Sequence, residues 1–151
     1  MKILSTAILL LGLAAAGQAQ AADTCKISLK GDDAMRFDLK EATVSAACPS
    51  ITVELVHVGK LPAAAMGHNV VIAATGDVDA VNRDGIRTGV ARHYVNKDDP
   101  RVIAATALVG GGERTTITFP GGKLAAGGDY TFFCSFPGHA TLMKGKLTVT
   151  R

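Results

Sequence analysis

The sequence predicts an all-β fold, an antiparallel Greek-key β-sandwich or barrel with one short helix in an insertion. Three observations carry that expectation. Short segments alternate polar and apolar residues, glycine-rich breaks separate them, and one stretch, residues 75–94, departs from the alternation. A period of two sends successive side chains to opposite faces of a strand, so one face can be buried while the other meets water.

In chain order, residues 1–21 are set apart from that fold. Lys2 gives a positive start, Ile3 to Leu13 is mostly apolar, and Ala19-Gln20-Ala21 offers small residues at a cleavage point. This is the pattern of a cleavable signal peptide. The apolar core is shorter than the roughly 20 residues of a membrane span. Residues 22–151 are then expected to form one domain, long enough for a single core. Loss of Lys2 lowers the formal charge from +3 to +2, and no run of basic residues follows. Such a balance offers no electrostatic footprint for nucleic acid.

Export also frames the three cysteines, which as an odd number leave one outside any pair. Cys25 and Cys48 lie together near the start of the domain and are expected to form a disulfide in an oxidising compartment. Closing that loop stabilises a fold by about 3 kcal/mol in the chain-entropy account. The odd thiol is Cys134.

Ile51-Thr52-Val53-Glu54-Leu55-Val56-His57 reads as a strand with Ile51, Val53, Leu55 and His57 on one face. His57 is therefore read as a core histidine, since apolar neighbours disfavour its charged form. The insertion follows. Asp77 gives it an acidic start, Val78, Val81 and Ile86 share a helical face, and Gly85 and Gly89 limit its length. Thr75 and Asp77 are the expected caps. His93, between Arg92 and Tyr94, reads as a surface residue. Beyond Gly110-Gly111-Gly112, alternation resumes over Thr116-Ile117-Thr118-Phe119. It returns in Tyr130-Thr131-Phe132-Phe133-Cys134, which ends at the odd thiol, and in Lys146-Leu147-Thr148-Val149.

The chemistry concentrates in two places. Cys134-Ser135-Phe136-Pro137-Gly138-His139 continues through Ala140, Thr141 and Leu142 to Met143, and Met66-Gly67-His68-Asn69 lies far upstream. Taken singly, each residue has an ordinary explanation: cysteine and methionine fill cores, and a histidine beside Pro-Gly is a common loop residue. Together, two imidazoles, a thiol and a thioether are the donor set that suits a copper ion in both of its oxidation states. Pro137-Gly138 permits the tight reversal that returns His139 and Met143 towards Cys134 and stiffens the loop. A stiff site changes little between Cu(I) and Cu(II), which favours passage of single electrons.

On these residues the chain resembles the cupredoxin family of blue-copper proteins. Phe132 to His139, Leu142 to Gly145, Met66 to Asn69, Asp98 to Ile103 and the Cys25/Cys48 pair all match, so the likeness spans the whole domain. The resemblance implies one copper ion, with His68, Cys134 and His139 as near-trigonal ligands. Met143 would be a long axial ligand and the Gly67 carbonyl a weak one on the opposite side. It gives Asn69 a hydrogen-bonding role near the Cys134 sulfur, tying the two ligand segments together, and points the Phe136 N–H at the same sulfur. Such hydrogen bonds withdraw charge from a thiolate and raise the reduction potential. By analogy within the family, His57 could also couple weakly to the oxidation state of the copper.

The resemblance further implies a periplasmic, monomeric electron carrier that meets other redox proteins briefly. Partners of this kind are c-type cytochromes, copper nitrite reductase and periplasmic dehydrogenases; neither nucleic acid nor stable membrane insertion is implied. Leu61, Met66, Phe136, Pro137, Ala140 and Leu142, with Pro62 to Ala65, carry no charge and flank the ligand segments. In the family such residues form an apolar docking patch, although core packing would also account for them. Two departures stand out: Val70 replaces a tryptophan, and His57-Val58-Gly59 replaces His-Pro-Gly.

Other chemistries make demands of their own. A protein that sequesters or delivers copper needs an open, labile site. An enzyme with Cys134 as nucleophile and His139 as base needs an accessible thiol and an orienting group. A catalytic zinc site would include better ligands than methionine. A copper oxidase or reductase would need more histidines than His57 and His93 supply.

Overall fold

A computed structural model describes residues 25–151; the signal-peptide reading of residues 1–21 lies outside the described residues. Two sheets face each other without closing into a barrel. The first, in the order β2-β1-β4-β7, joins β1 (Lys26–Asp32), β2 (Arg36–Phe37), β4 (Ser50–His57) and β7 (Arg114–Pro120). The second, in the order β3-β9-β8-β5-β6, joins β3 (Glu41–Ser45), β5 (Val71–Ala74), β6 (Ala104–Ala105), β8 (Tyr130–Phe133) and β9 (Lys144–Thr150).

The expectation of purely antiparallel sheets is corrected at two places, because β1 pairs with β4 and β3 with β9 in parallel. Parallel partners require a crossover rather than a hairpin. Here the chain provides one by changing sheets: it leaves β1, runs through β3 in the other layer, and returns as β4. The disulfide between Cys25 and Cys48, with Cα atoms 5.6 Å apart, ties the start of β1 to the segment entering β4.

Alternation governs the first sheet as expected. Ile51, Val53, Leu55 and His57 on β4 are wholly buried, while the residues between them are half-buried. The second sheet behaves differently at its centre. Phe132 and Phe133 are consecutive and both fully buried. Phe132 faces the core between the sheets, with its ring 5.9 Å from that of Phe37. Phe133 joins a second cluster with Val71, Val78, Val81 and Val95 on the outer face. Helix α2 (Val78–Thr88), which follows the single turn α1 (Ala63–Met66) in the chain, supplies Val78 and Val81 to that cluster. A strand covered on both sides shows no alternation.

The insertion holds α2 and the turn that follows it. Asp77 occupies the cap position, but no side-chain hydrogen bond caps the helix, and Thr75, two residues earlier, does not cap it either. Its hydroxyl is taken up by the Asp129 carboxylate and the Thr131 hydroxyl, and its N–H donates to the Asp129 carbonyl. Gly85 does not end the helix. It lies inside it, where its α-carbon packs against the carbonyl of Tyr94, and a side chain there would collide with backbone. Gly89 provides the stop, with φ of +74°, a left-handed conformation that glycine adopts without penalty. Ile86 stays half-exposed, so Val78, Val81 and Gly85 form the buried face.

Candidate metal centre

The Cys134–Met143 loop joins β8 to β9 and is closed at its base by a hydrogen bond from the Cys134 N–H to the Met143 carbonyl, 2.9 Å. The N–H groups of Leu142 and Met143 both bond the His139 carbonyl, and the His139 N–H bonds that of Phe136. Gly138, at φ +85°, makes the reversal. His68 arrives from the opposite side, where it exchanges both backbone hydrogen bonds with Val109.

Three donor atoms converge in the space so formed. The Cys134 sulfur lies 3.6 Å from Nδ1 of His139 and 4.0 Å from Nδ1 of His68. His68, Cys134 and His139 form a group of buried metal-ligating side chains whose donor atoms all lie within 4.8 Å of one another. With metal–nitrogen and metal–sulfur bonds of about 2.0–2.3 Å, a trigonal ion separates its donors by about 3.5–3.8 Å. The sulfur's distance to His139 falls within that spacing and its distance to His68 lies about 0.2 Å beyond it, within reach of a small side-chain adjustment. The Gly67 carbonyl is 3.9 Å from the sulfur, and Met143 is fully buried in the same core cluster.

The surroundings fix these side chains. Nε2 of His68 is 2.8 Å from the Asp32 carbonyl. A carbonyl can only accept, so Nε2 carries the proton and Nδ1 is left with its lone pair towards the sulfur. Asn69 spans the two ligand segments: its Oδ1 accepts the Ser135 N–H at 2.9 Å, and its Nδ2 donates to the Ser135 hydroxyl and to the His93 carbonyl. The backbone N–H groups of Asn69 and Phe136 face the Cys134 sulfur. His57 stacks on His68, ring centroids 4.3 Å apart, donates from Nε2 to the Met66 carbonyl and accepts the Gly59 N–H at Nδ1.

His93 is half-buried and holds two contacts that a surface residue would lack. Its carbonyl receives Asn69, and its Nδ1 accepts the Leu108 N–H at 3.3 Å. The reading of His93 as surface is thus corrected. Both His93 and Tyr94 have φ of +56°, and the Tyr94 ring meets Phe136 edge-on, which in turn packs 4.6 Å from His139. Asp32, Ser135, His93 and Tyr94 are neighbours of the site that sequence reading missed. Only Ser135, adjacent to Cys134, carries a signal in the sequence; the others act mainly through carbonyls or ring contact.

Of the apolar patch residues, Leu61 and Leu142 are 42% and 55% exposed. Pro137 is also exposed, whereas Met66, Phe136 and Ala140 are half-buried, Phe136 against His139 and Ala140 against the outer cluster. His139 itself is 3% exposed.

Burial dominates the protonation chemistry. It pushes the Cys134 thiol up to about 11, with the two N–H groups pulling the other way. A thiol that is neutral at pH 7 and sealed from solvent is a poor nucleophile, which removes the basis for the enzyme reading. A bound cation would instead supply the charge a thiolate needs. Burial also lowers His139 to about 4, aided by repulsion from His68 and His57, and lowers His68, with the Asp32 carbonyl opposing. Both imidazoles are thus held neutral, the form that binds metal.

These shifts imply a pH dependence of the metal-free protein. The folded imidazoles resist protons that the unfolded chain binds below about 6.5, so stability is complete above that pH and is lost as pH falls towards 4. Urea midpoints of the metal-free protein are expected to fall across that window. Copper-loaded protein should lose stability at least as steeply there, because bound metal keeps protons off both Nδ1 atoms and the sulfur while the unfolded chain still takes them up.

A family model described as copper binding proteins, plastocyanin/azurin family, matches residues 23–150. Among curated relatives, the azurin of Bordetella pertussis is 52% identical over 123 residues, covering 82% of each chain. The azurin of Alcaligenes faecalis is 49% identical over 123 residues, 82% of this chain and 96% of its own. The fold is similar to that of the solved azurin iso-2 of Methylomonas sp. strain J, with a TM-score of 0.80, 37% identity, and coverage of 85% of this chain and 99% of that one.

Proposed function

Because this chain belongs to the plastocyanin/azurin family of copper-binding proteins, we propose that a single copper would be held by His68, Cys134 and His139, with Met143 and the Gly67 carbonyl as weaker donors. The protein is a type 1 copper electron carrier and not an enzyme. The observation that carries the ligand assignment is the buried Cys134 thiol, free of any disulfide, with two imidazole Nδ1 atoms at 3.6 and 4.0 Å.

When bound, the metal supplies the Cu(I)/Cu(II) couple. The residues around it do the rest. The Asp32 carbonyl and the Met143–Cys134 hydrogen bond hold the donors in place, so little rearrangement accompanies a change of charge. The N–H groups of Asn69 and Phe136 draw charge from the sulfur and favour the reduced state. The closed, fully buried donor set argues against a protein built to release its copper.

Electrons enter and leave at the edge of His139, beneath Leu61, Met66, Phe136, Pro137, Ala140 and Leu142. An uncharged patch suits brief encounters, where fast release matters more than affinity. The partners are other redox proteins, and c-type cytochromes, copper nitrite reductase and periplasmic dehydrogenases are the kinds such a patch fits. Among the described residues no helix is long and apolar enough to cross a membrane. The export pattern of residues 1–21 and the Cys25–Cys48 disulfide support a periplasmic setting for a domain spanning residues 22–151.

Titration of the purified protein with Cu(II), followed by ascorbate, tests the assignment. An intense blue band is expected to saturate at one equivalent and bleach on reduction; a colourless protein with a reactive thiol would overturn it. In the same titration Met143→Leu should stay blue with a raised potential, and loss of colour would show the thioether to be needed for the site to form.

A further inference from the structure

The turn after β1 reaches the site in two ways at once. The Asp32 carbonyl orients His68. The next side chain, Asp33, reaches in another direction: its Oδ2 accepts the Lys60 N–H at 2.8 Å and its Oδ1 the Leu61 N–H at 3.3 Å. Those residues begin the loop that presents Leu61 at the apolar patch. The carboxylate lies directly against the α-carbon of Gly59, where any side chain would displace it. Its Oδ1 is also 3.8 Å from Nε2 of His57, the ring stacked on His68.

The turn itself is built to hold this position. Oδ1 of Asp32 accepts the N–H groups of Ala34 and Arg36, and Arg36 pairs with its other oxygen at 2.7 Å. Met35 sits at φ +55°, a conformation that non-glycine residues rarely adopt. Hydrogen bonds to an ionised acceptor are the stronger kind, and the Lys60 N–H holds the Asp33 carboxyl below its usual range, so it is charged across the neutral pH range.

We propose that Asp33 is a positioning residue for electron transfer: its carboxylate couples the turn that orients His68 to the loop that presents Leu61, and places a fixed negative charge one imidazole away from that ligand. Two consequences follow. Loss of the clamp lets the docking loop shift relative to the metal centre, which slows transfer without altering the ligand set. Loss of the charge alone disfavours the oxidised, more positive metal and raises the potential. The inference rests on the proposed roles of His68 and Leu61.

The test uses Asp33→Ala and Asp33→Asn. In metal-free Asp33→Ala, amide hydrogen exchange at Lys60 and Leu61 is expected to accelerate about tenfold to a hundredfold, the equivalent of losing a hydrogen bond to a charged acceptor. Copper-loaded Asp33→Ala should keep its blue band while electron self-exchange falls severalfold. Asp33→Asn retains one acceptor and the packing against Gly59 but not the charge; it should protect at least one amide and show a raised potential. Unchanged exchange at both amides in Asp33→Ala would overturn the clamp. Freed amides with self-exchange and potential both unchanged would reduce Asp33 to a structural brace and overturn its role in transfer. A parent protein that never turns blue would sink the copper reading itself, and the redox half of the proposal with it, whereas amide exchange would still decide the clamp.

Discussion

Cys134→Ser is expected to abolish the intense blue band of the copper-loaded protein while leaving the domain folded. The colour of such a site comes from charge transfer between thiolate sulfur and Cu(II), and a serine oxygen provides no equivalent. Serine is also a hard, weakly acidic donor, so affinity for Cu(I) should fall further than affinity for Cu(II). The fold should survive because the two side chains are nearly isosteric and the backbone bond from residue 134 to the Met143 carbonyl does not involve the side chain. A buried hydroxyl needs partners, and the Gly67 carbonyl and the N–H groups of Asn69 and Phe136 already surround the position. Absorption spectra and circular dichroism of metal-loaded variant and parent decide the matter. A variant that stays blue would remove Cys134 from the ligand set.

Phe132→Ala should destabilise the metal-free protein by about 3–5 kcal/mol, the usual range for truncating a buried phenylalanine. Phe132 is fully buried, and its ring fills the space between the sheets beside Phe37. The room for it comes from Gly145, directly opposite on β9, whose α-carbon faces the ring. With glycine there, no neighbouring side chain can rotate in from that position to fill the void, so the cost lies in the cavity as well as in lost burial. Urea unfolding of the metal-free variant against the parent measures it. A loss under about 1 kcal/mol would mean the sheets close over the gap, contrary to the close packing of protein interiors.

Strands differ in how plainly their residues declare their surroundings. β4 was readable because one of its faces meets the core and the other does not, so its alternation reports burial directly. β8 was readable as a strand but not as a doubly covered one; nothing in Phe132-Phe133 says that one ring faces the opposite sheet and the next a helix. The caps of α2 were misread because Thr75, a good capping residue by type, sits where Asp129 and Thr131 compete for its hydroxyl. Gly85 was misread because glycine can end a helix or admit a close neighbour, and only the Tyr94 carbonyl shows which.

The candidate site divides in the same way. Residue types alone give the chemistry available: a thiol left over from the one pair, two imidazoles and a thioether, and a Pro-Gly reversal at a spacing that lets His139 and Met143 return towards Cys134. Side-chain chemistry is written in residue type, and so is local turn geometry. What orients those donors emerges on folding: the Asp32 carbonyl on His68, the His93 carbonyl on Asn69, and Asp33 holding the loop of Leu61. Every residue but proline carries the same N–H and every residue the same carbonyl, so a backbone partner leaves no trace in the sequence. Its role exists only once the strands have brought it within reach.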